Sequence, residues 1–414
     1  MPEPKVRFKM DDGSSFPAWN DVVLGDIATR VTRKNANGET DRPLTIASIE
    51  GLVDQRTYFG KTIASKDMTG YFLLKNGEYA YNKSYSAGYD YGSIKRLDKY
   101  DMGALSTLYI CFALDEDQNT DFYDCYFNGL SWYNQMPQIC AEGARNHGLL
   151  NVSPNDFFKI QLSVPSSKEE QQKIADFLSS VDAVIAASEE EVANLETQKK
   201  AVMKKIFTQE VRFKRADGSD FPEWEEVKVL DMLVQPITDG PHETPELVED
   251  GVPFVSVEAI ENGRVNLNKR RGNITKEYDE LCAKKYKPQL YDVYMVKSGA
   301  TTGKMGIVTI EDDFNIWSPL AAMRTASKTE AFFLFFMLQS DLLQKQVWTK
   351  LSLGNQPNLG MRALEEFDAV RPCLEEQRLI ADFLSDFDEA IAAAKKELEL
   401  WKELKKGLLQ QMFV

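Results

Sequence analysis

The chain is short of the residues that carry most metal and nucleophile chemistry. In 414 residues there are two histidines, His147 and His242, far apart along the sequence. Its five cysteines (Cys111, Cys125, Cys140, Cys282 and Cys373) are odd in number and no two stand at C-x-x-C spacing. Structural zinc and a disulfide framework are therefore both disfavoured, and buried free thiols are the expectation. No apolar run approaches the roughly 18 residues of a membrane span; the longest, Ala331 to Leu338, falls far short. A charged-then-apolar leader pattern is also missing from the N-terminus, so the expected location is the cytoplasm. Basic residues are in deficit: 49 Lys and Arg against 64 Asp and Glu leave a net charge of -15. A uniformly basic nucleic-acid binder is excluded by that balance. The deficit is uneven, however. From Arg264 to Lys304 there are ten Lys/Arg against four Asp/Glu, while acid gathers at Glu243 to Asp250 and Glu311 to Asp313. A chain can keep one face basic while the rest stays acidic for solubility or for a basic partner.

Catalytic signatures are equally sparse. Gly299-Ala-Thr-Thr-Gly303-Lys304-Met305 has the look of a phosphate-binding loop. Three residues rather than four separate its glycines, and Met305 stands where a Ser or Thr would reach magnesium. Two readings of this stretch stay open: a solvated hairpin tip, or a loop whose backbone approaches a nucleic acid closely. No metal-ligand cluster, no Ser-His-Asp arrangement and no adenosylmethionine-type glycine fingerprint is present. No catalytic residue and no metal ligand is assigned.

What the chain does have is repetition. At spacings of four and three, Ile174, Leu178, Val181, Ile185, Ser188, Val192, Leu195, Lys199, Val202 and Ile206 form a heptad seam. Adding 206 to each number gives Ile380, Leu384, Phe387, Ile391, Ala394, Leu398, Trp401, Lys405, Leu408 and Met412, the same seam again. The polar position common to both is a lysine, Lys199 and Lys405, a device that tends to fix register or partner. Each segment runs close to 40 residues, about 60 Å of helix at 1.5 Å per residue. A helix that long needs an equally long partner, and the other copy in antiparallel packing is the nearest. Ser166-x-x-Glu169 reads as a capping box for the first helix, and Pro372 with Glu375 and Glu376 suits the start of the second.

A second repeat lies upstream. Val6-Arg-Phe-Lys-Met-Asp-Asp-Gly-Ser-Ser-Phe-Pro-Ala-Trp19 matches Val211-Arg-Phe-Lys-Arg-Ala-Asp-Gly-Ser-Asp-Phe-Pro-Glu-Trp224 at ten of fourteen positions. The chain is thus a tandem duplication, each half an arm, a globular region and a long helix. Phe16, Trp19, Phe221 and Trp224 are expected to be packing residues. The boundaries fall at 1–165 for the first arm and globular region, 166–208 for the first helix, 209–371 for the second arm and globular region, and 372–414 for the second helix. Short strands (Ser106 to Leu114; Pro253 to Val257, Asp292 to Val296 and Gly306 to Ile310) and one helix from Glu330 to Leu351 give each globular region an α/β, or α+β, character.

The globular regions diverge, but echoes survive. Glu78-Tyr-Ala-Tyr-Asn-Lys83-Ser84 parallels Asp292-Val-Tyr-Met-Val-Lys297-Ser298, and a polar, glycine-marked loop closes each region. Residue types that read base edges or grip phosphate gather there. In the first region the candidates are Tyr81, Asn82, Lys83, Ser84, Tyr85, Lys95 and Arg96, with Arg145, Asn146 and His147 in the closing loop. In the second they are Arg264, Lys269, Arg270, Arg271, Lys297, Ser298, Gly299, Thr302 and Lys304, with Asn355, Gln356 and Asn358 in the closing loop. For any single residue solvated surface is the simpler fate; as a set they favour contact with DNA.

Taken together, these features resemble the specificity subunit of a type I restriction–modification system. The resemblance rests on Glu-Glu-Gln (169 to 171; 375 to 377) and Ile-Ala-Asp-Phe-Leu-Ser (174 to 179; 380 to 385) opening both helices. It rests also on the Phe-Pro-x-Trp arms, Ile237-Thr-Asp-Gly-Pro-His242, Lys297-Ser298-Gly299 and the tandem order. It implies two target recognition domains, each reading half of a split site in double-stranded DNA. It implies an antiparallel coiled coil of pseudo-twofold character between them. It further implies two docked modification (methyltransferase) subunits, which restriction subunits can join. Adenosylmethionine and the catalytic residues would belong to those partners, with no cofactor in this chain and no membrane contact. The alternative class is a protein scaffold that bridges helical partners and reads no DNA.

Overall fold

The computed structural model describes residues 4–61, 63–86, 88–140, 150–351 and 357–413. Two compact units emerge, one comprising residues 1–187 with 398–414 and the other residues 188–397. The long helices are Lys168–Phe207 and Leu374–Met412, and both units draw on both of them.

In the first unit the opening turns of the first helix pack against the closing turns of the second. Ile174, Ala175 and Leu178 share one core with Met412 and Phe413. In the second unit the order is reversed: Met203, Ile206 and Phe207 share a core with Ile380, Ala381 and Leu384. The helices are therefore antiparallel. No seam position is exposed, Ile185, Val192, Leu195, Phe387, Ile391, Leu398 and Trp401 included. The seam lysines are answered in kind: Lys199 Nζ lies 2.5 Å from Asp388 Oδ1, and Lys405 Nζ lies 2.5 Å from Asp182 Oδ1. One pair becomes the other on adding 206 to the residue of the first helix and subtracting it from that of the second.

The repeated arms clamp the repeated helix starts. Arg7 and Trp19 both donate to the carboxylate of Glu170, at 2.8–2.9 Å and 3.3 Å. Arg212 and Trp224 do the same to Glu376, at 2.9–3.2 Å and 2.9 Å. Both glutamates are fully buried. A buried carboxylate needs such partners, because an uncompensated charge there costs several kcal/mol. Phe16, Trp19, Phe221 and Trp224 are buried beside them, as packing residues. After each arm a strand pairs antiparallel with the strand that leads into the long helix. Trp19–Val23 runs against Gln161–Pro165, and Glu225–Lys228 against Asp368–Arg371.

The heads differ in sheet architecture. The first carries a four-stranded sheet in the order Ala28–Arg30, Ile110–Leu114, Tyr79–Asn82, Ser93–Arg96, with two flanking two-stranded pairs. The second carries a six-stranded sheet in which Val293–Val296 lies between Leu320–Met323 and Met305–Ile307, and a separate three-stranded sheet.

Several local expectations need correction. The strand expected from Ser106 begins only at Ile110, after a turn. The helix expected over 330–351 is two, Ala331–Gln339 and Asp341–Lys350. Ser340 breaks it with an extended backbone, donating its hydroxyl to Met337 O at 2.6 Å while its own carbonyl accepts from Gln344 N. At the first long helix it is Ser167, not Ser166, whose hydroxyl accepts from a first-turn amide, that of Glu170. Ser166 instead donates to Ala18 O at 3.0 Å. The cysteines are free thiols; Cys111 is buried and the others half-buried.

Candidate nucleic-acid interface

Each head presents its central strand end-on to a turn that begins with Lys-Ser. In the first, Tyr79 and Tyr81 point into the core. Tyr81 stacks on Phe157 at 4.6 Å, meets Trp132 edge-on, and donates its hydroxyl to Tyr91 O at 2.8 Å. Tyr81 is thus fully buried and holds the strand rather than facing a ligand. The chain then surfaces: Asn82 Oδ1 accepts from Ser84 N at 3.0 Å, Lys83 and Ser84 are half-buried, and Tyr85 is 60% exposed. Lys83 O accepts from Leu150 N at 2.8 Å, so the segment leaving the closing loop runs beside the turn.

The second head repeats this junction. Lys297 O accepts from Leu359 N at 2.7 Å, Gly299 N donates to Pro357 O at 3.0 Å, and Ser298 bridges Asn358. Two loops that are some 60 residues apart in sequence are thus brought together in both heads by the same main-chain contact. Gly299 and Gly303 both take positive φ, 99° and 92°, which favours glycine at each. Thr302 closes the intervening turn through bonds to Gly299 O. The phosphate-loop look-alike is a β-hairpin tip between Val293–Val296 and Met305–Ile307, with Lys304 exposed beside it.

The side chains at the two junctions differ. Lys297 is buried, its Nζ 3.2 Å from Asp239 Oδ2. Asp239, wholly buried, also receives Lys285, and His242 Nε2 at 3.0 Å. Burial works to raise the Asp239 carboxyl, but hydrogen bonds and charge from Lys285 and Lys297 outweigh it and hold the group below its ordinary range. Gly240 is forced at this point, because a Cβ would lie 1.9 Å from Ile316 O. His242 is largely exposed at the rim of the cluster. Among the described residues, Lys83 has no ion-pair partner.

The other expected contacts are distributed as follows. Lys95 is buried and donates to Asn128 Oδ1 at 2.6 Å, and Arg96 is paired with Asp98 and Asp121 at 2.6 and 2.7 Å. Arg264 lies half-buried over the rings of Phe332 and Phe335, where burial lowers its guanidinium pKa. Lys269 is paired with Glu261. Arg270 bonds Asn273 at 2.8 Å, and Arg271 sits 4.1 Å over Trp317. Arg145, Asn146, His147, Asn355 and Gln356 lie outside the described residues. Asp239 and Lys285 were absent from the sequence-derived candidates. The signal for Asp239 was its place inside the Thr-Asp-Gly-Pro-His motif, whereas Lys285 had none.

Two unlike α/β heads on a duplicated pair of antiparallel helices, each with a Lys-Ser turn at a strand end, define a tandem two-headed scaffold. The chain belongs to the family of type I restriction–modification DNA specificity domains, whose model matches residues 19–197 and again 223–400. It is similar to the MjaVIII specificity subunit of a type I restriction enzyme from Methanocaldococcus jannaschii, 27% identical over 277 residues, 63% of each chain. It is similar also to a putative MjaX specificity subunit from the same organism, 26% identical over 213 residues, 50% of this chain and 49% of that one. The matches thus span less than two thirds of those relatives' length. In fold it resembles the type I S subunit from M. genitalium (TM-score 0.54, 12% identity, 100% and 99% of the two chains). It also resembles a chain from a structural study of complex assembly and conformational transition in a type I system (TM-score 0.56, 17% identity, 96% and 98%).

Proposed function

We propose that the chain is a non-catalytic subunit that reads a bipartite target in double-stranded DNA. Each head would read one half. Two modification subunits would dock on the helical scaffold and supply adenosylmethionine and the methyl-transfer chemistry. Restriction subunits could join that complex, and the setting would be the cytoplasm. The observation that carries this reading is the repeated junction: unlike sheets converge on one main-chain contact, Lys83 with Leu150 and Lys297 with Leu359. A duplicated scaffold that varies its heads while keeping their loop junction suits two different half-sites. Good bidentate base contacts would contribute about 1–3 kcal/mol each, and phosphate contacts a salt-dependent, sequence-blind share.

The test is to express the modification subunits with and without this chain and map methylated positions genome-wide. A split motif that appears only with the chain is the expected result. If random and cognate duplex compete equally for the assembled complex, the chain is a protein scaffold and reads no sequence. Inserting one heptad into both long helices in register should change the preferred gap between half-sites; an unchanged gap would remove the helices as its determinant.

A further inference from the structure

Of the six tryptophans, all within the described residues, only Trp348 is exposed, at 65%. Trp19, Trp132 and Trp224 are buried, and Trp317 and Trp401 are half-buried. A single exposed ring is ordinary on a protein surface; the place of this one is not. It sits in the last turn of the helix Asp341–Lys350, which packs against the hairpin tip at the second head's junction. A Cβ on Gly303 would lie 3.1 Å from Gln344 Oε1 and 3.8 Å from Val347 Cγ1. Trp348 follows Val347 directly and stands one turn beyond Gln344, so it occupies the edge of the helix between the tip and solvent. Leu351 then leads into the closing loop, whose return at Pro357 accepts from Gly299 N at 3.0 Å.

Two exposed lysines share this corner: Lys345, one turn before Trp348 on the same helix, and Lys304, next to Gly303 on the tip. Neither has an ion-pair partner among the described residues. The acids nearby in the chain are turned elsewhere. Asp341 lines the cleft toward Lys199, Lys200 and Lys204. Glu261 is held by Lys269 and by Asn266 at 2.7 Å, not by Lys304. Lys297, the cation that the sequence places at this junction, is drawn inward to Asp239. Lys304 and Lys345 therefore carry positive charge on its outer face. The first head is built otherwise. Trp132, in the helical turn after Thr120–Asn128, is buried and donates Nε1 to Phe127 O at 3.0 Å, and the exposed ring beside Lys83 is Tyr85. A protein-binding core tends to be poor in lysine, whereas an aromatic ring beside free lysines is the pairing that nucleic-acid surfaces use.

We infer that Trp348 enters the groove at the second head's half-site, and that Lys304 and Lys345 hold flanking phosphates. This rests on the DNA-reading function proposed above, and it moves the second head's contact from Lys297 to the neighbouring helix end. An indole offers a wide apolar face and one N–H donor, so it can pack on a thymine methyl or a sugar and still donate once. A lysine is a compact charge that meets phosphate without regard to sequence. The ring should therefore carry sequence preference, and the two lysines salt dependence.

Trp348→Ala, Trp348→Phe, Lys345→Ala and Lys304→Ala are compared in the assembled complex, over a salt series and by mapping methylated positions, with thermal melting to confirm folding. Trp348→Ala should weaken binding to cognate duplex about thirtyfold and relax the methylated motif in one half while the other half stays as it was. Trp348→Phe should recover most of that affinity. Lys345→Ala and Lys304→Ala should each make the slope of log affinity against log salt shallower by about 0.9 and leave the motif unchanged. Hydroxyl-radical oxidation of Trp348 in the parent, read by mass spectrometry, should be equal in the full chain and in the DNA-free complex, and should fall several-fold when cognate duplex is added. This last measurement needs no variant, so it decides the matter even if Trp348→Ala fails to fold. Protection of Trp348 by the modification subunits without DNA would assign the ring to a protein surface and overturn the inference. Undiminished oxidation with duplex, an unchanged motif in a folded Trp348→Ala, or relaxation of both halves would overturn it too. If the parent complex prefers no duplex at all, the DNA-reading function itself fails; a parent that discriminates while Trp348 stays open to oxidation sinks this contact alone.

Discussion

Lys83 and Lys297 occupy the same place in two heads and lead different lives. Each ends a central strand, and each carbonyl accepts the amide of the leucine that follows the closing loop. The backbone of the junction is thus common property. The side chains are not: Lys297 is drawn inward by a buried carboxylate, while Lys83 is half-buried with no such partner among the described residues. The duplication keeps the frame and frees the cation in one copy only. A lysine at the end of a strand is therefore evidence about the loop's position, and its neighbours decide whether it is a contact or a brace.

The scaffold, by contrast, has been kept alike in both copies, and disabling it should give the largest effect. Glu376→Ala strands Arg212 and Trp224 around a buried void, and Glu170→Ala does the same to Arg7 and Trp19. Each should cost about 3 kcal/mol, read by urea denaturation. Equal stability of both variants and parent would mean that the clamps do not hold the arms.

A smaller effect separates the heads. Asp239→Ala removes the carboxylate around which Lys285, Lys297 and His242 gather, and should cost about 2 kcal/mol, because two lysines lose their counter-charge. Lys297→Ala leaves Asp239 with Lys285 and should cost about 1 kcal/mol in melting. Lys83→Ala should leave melting within about 0.5 kcal/mol and weaken DNA binding several-fold instead. If Lys297→Ala weakened binding with melting unchanged, and Lys83→Ala did the reverse, the contrast drawn between them would be backwards.

The contrast also shows what could be read from sequence. The helices, their antiparallel partnership and the packing aromatics were legible because a repeat at fixed offset makes each copy evidence for the other. The Glu170 and Glu376 clamps were half legible: the glutamates and arginines recur, but their meeting over about 160 residues is a product of folding. The break at Ser340 was hidden because Ala331–Gln339 is buried on nearly all sides, which leaves no polar stripe to show where the face turns. Tyr81 reads from sequence as a loop aromatic because its short strand, Tyr79–Asn82, is buried on both faces and so shows no polar alternation to mark it as core. The brace on Lys297 was invisible because Lys285 and Asp239 lie 46 residues apart and converge only in space.

Acid should expose the remaining difference between the heads. Asp239 titrates below its ordinary value of 3.8 in the folded chain, so its ionised form is favoured by folding. The stabilisation is therefore complete well above pH 4, fades as pH falls past the unfolded-state value, and is gone below the folded-state value. The Leu359 amide, bonded to Lys297 O, reports on the braced junction, and the Leu150 amide, bonded to Lys83 O, on the unbraced one. Hydrogen-exchange protection factors, which remove the intrinsic pH dependence, should fall for Leu359 between about pH 5 and pH 3 and change little for Leu150. Asp239→Asn should start with weaker protection at Leu359 and show little further loss on acidification. Parallel loss at both amides in the parent would mean that the carboxylate does not brace its loop, and that the two lysines are more alike than their surroundings suggest.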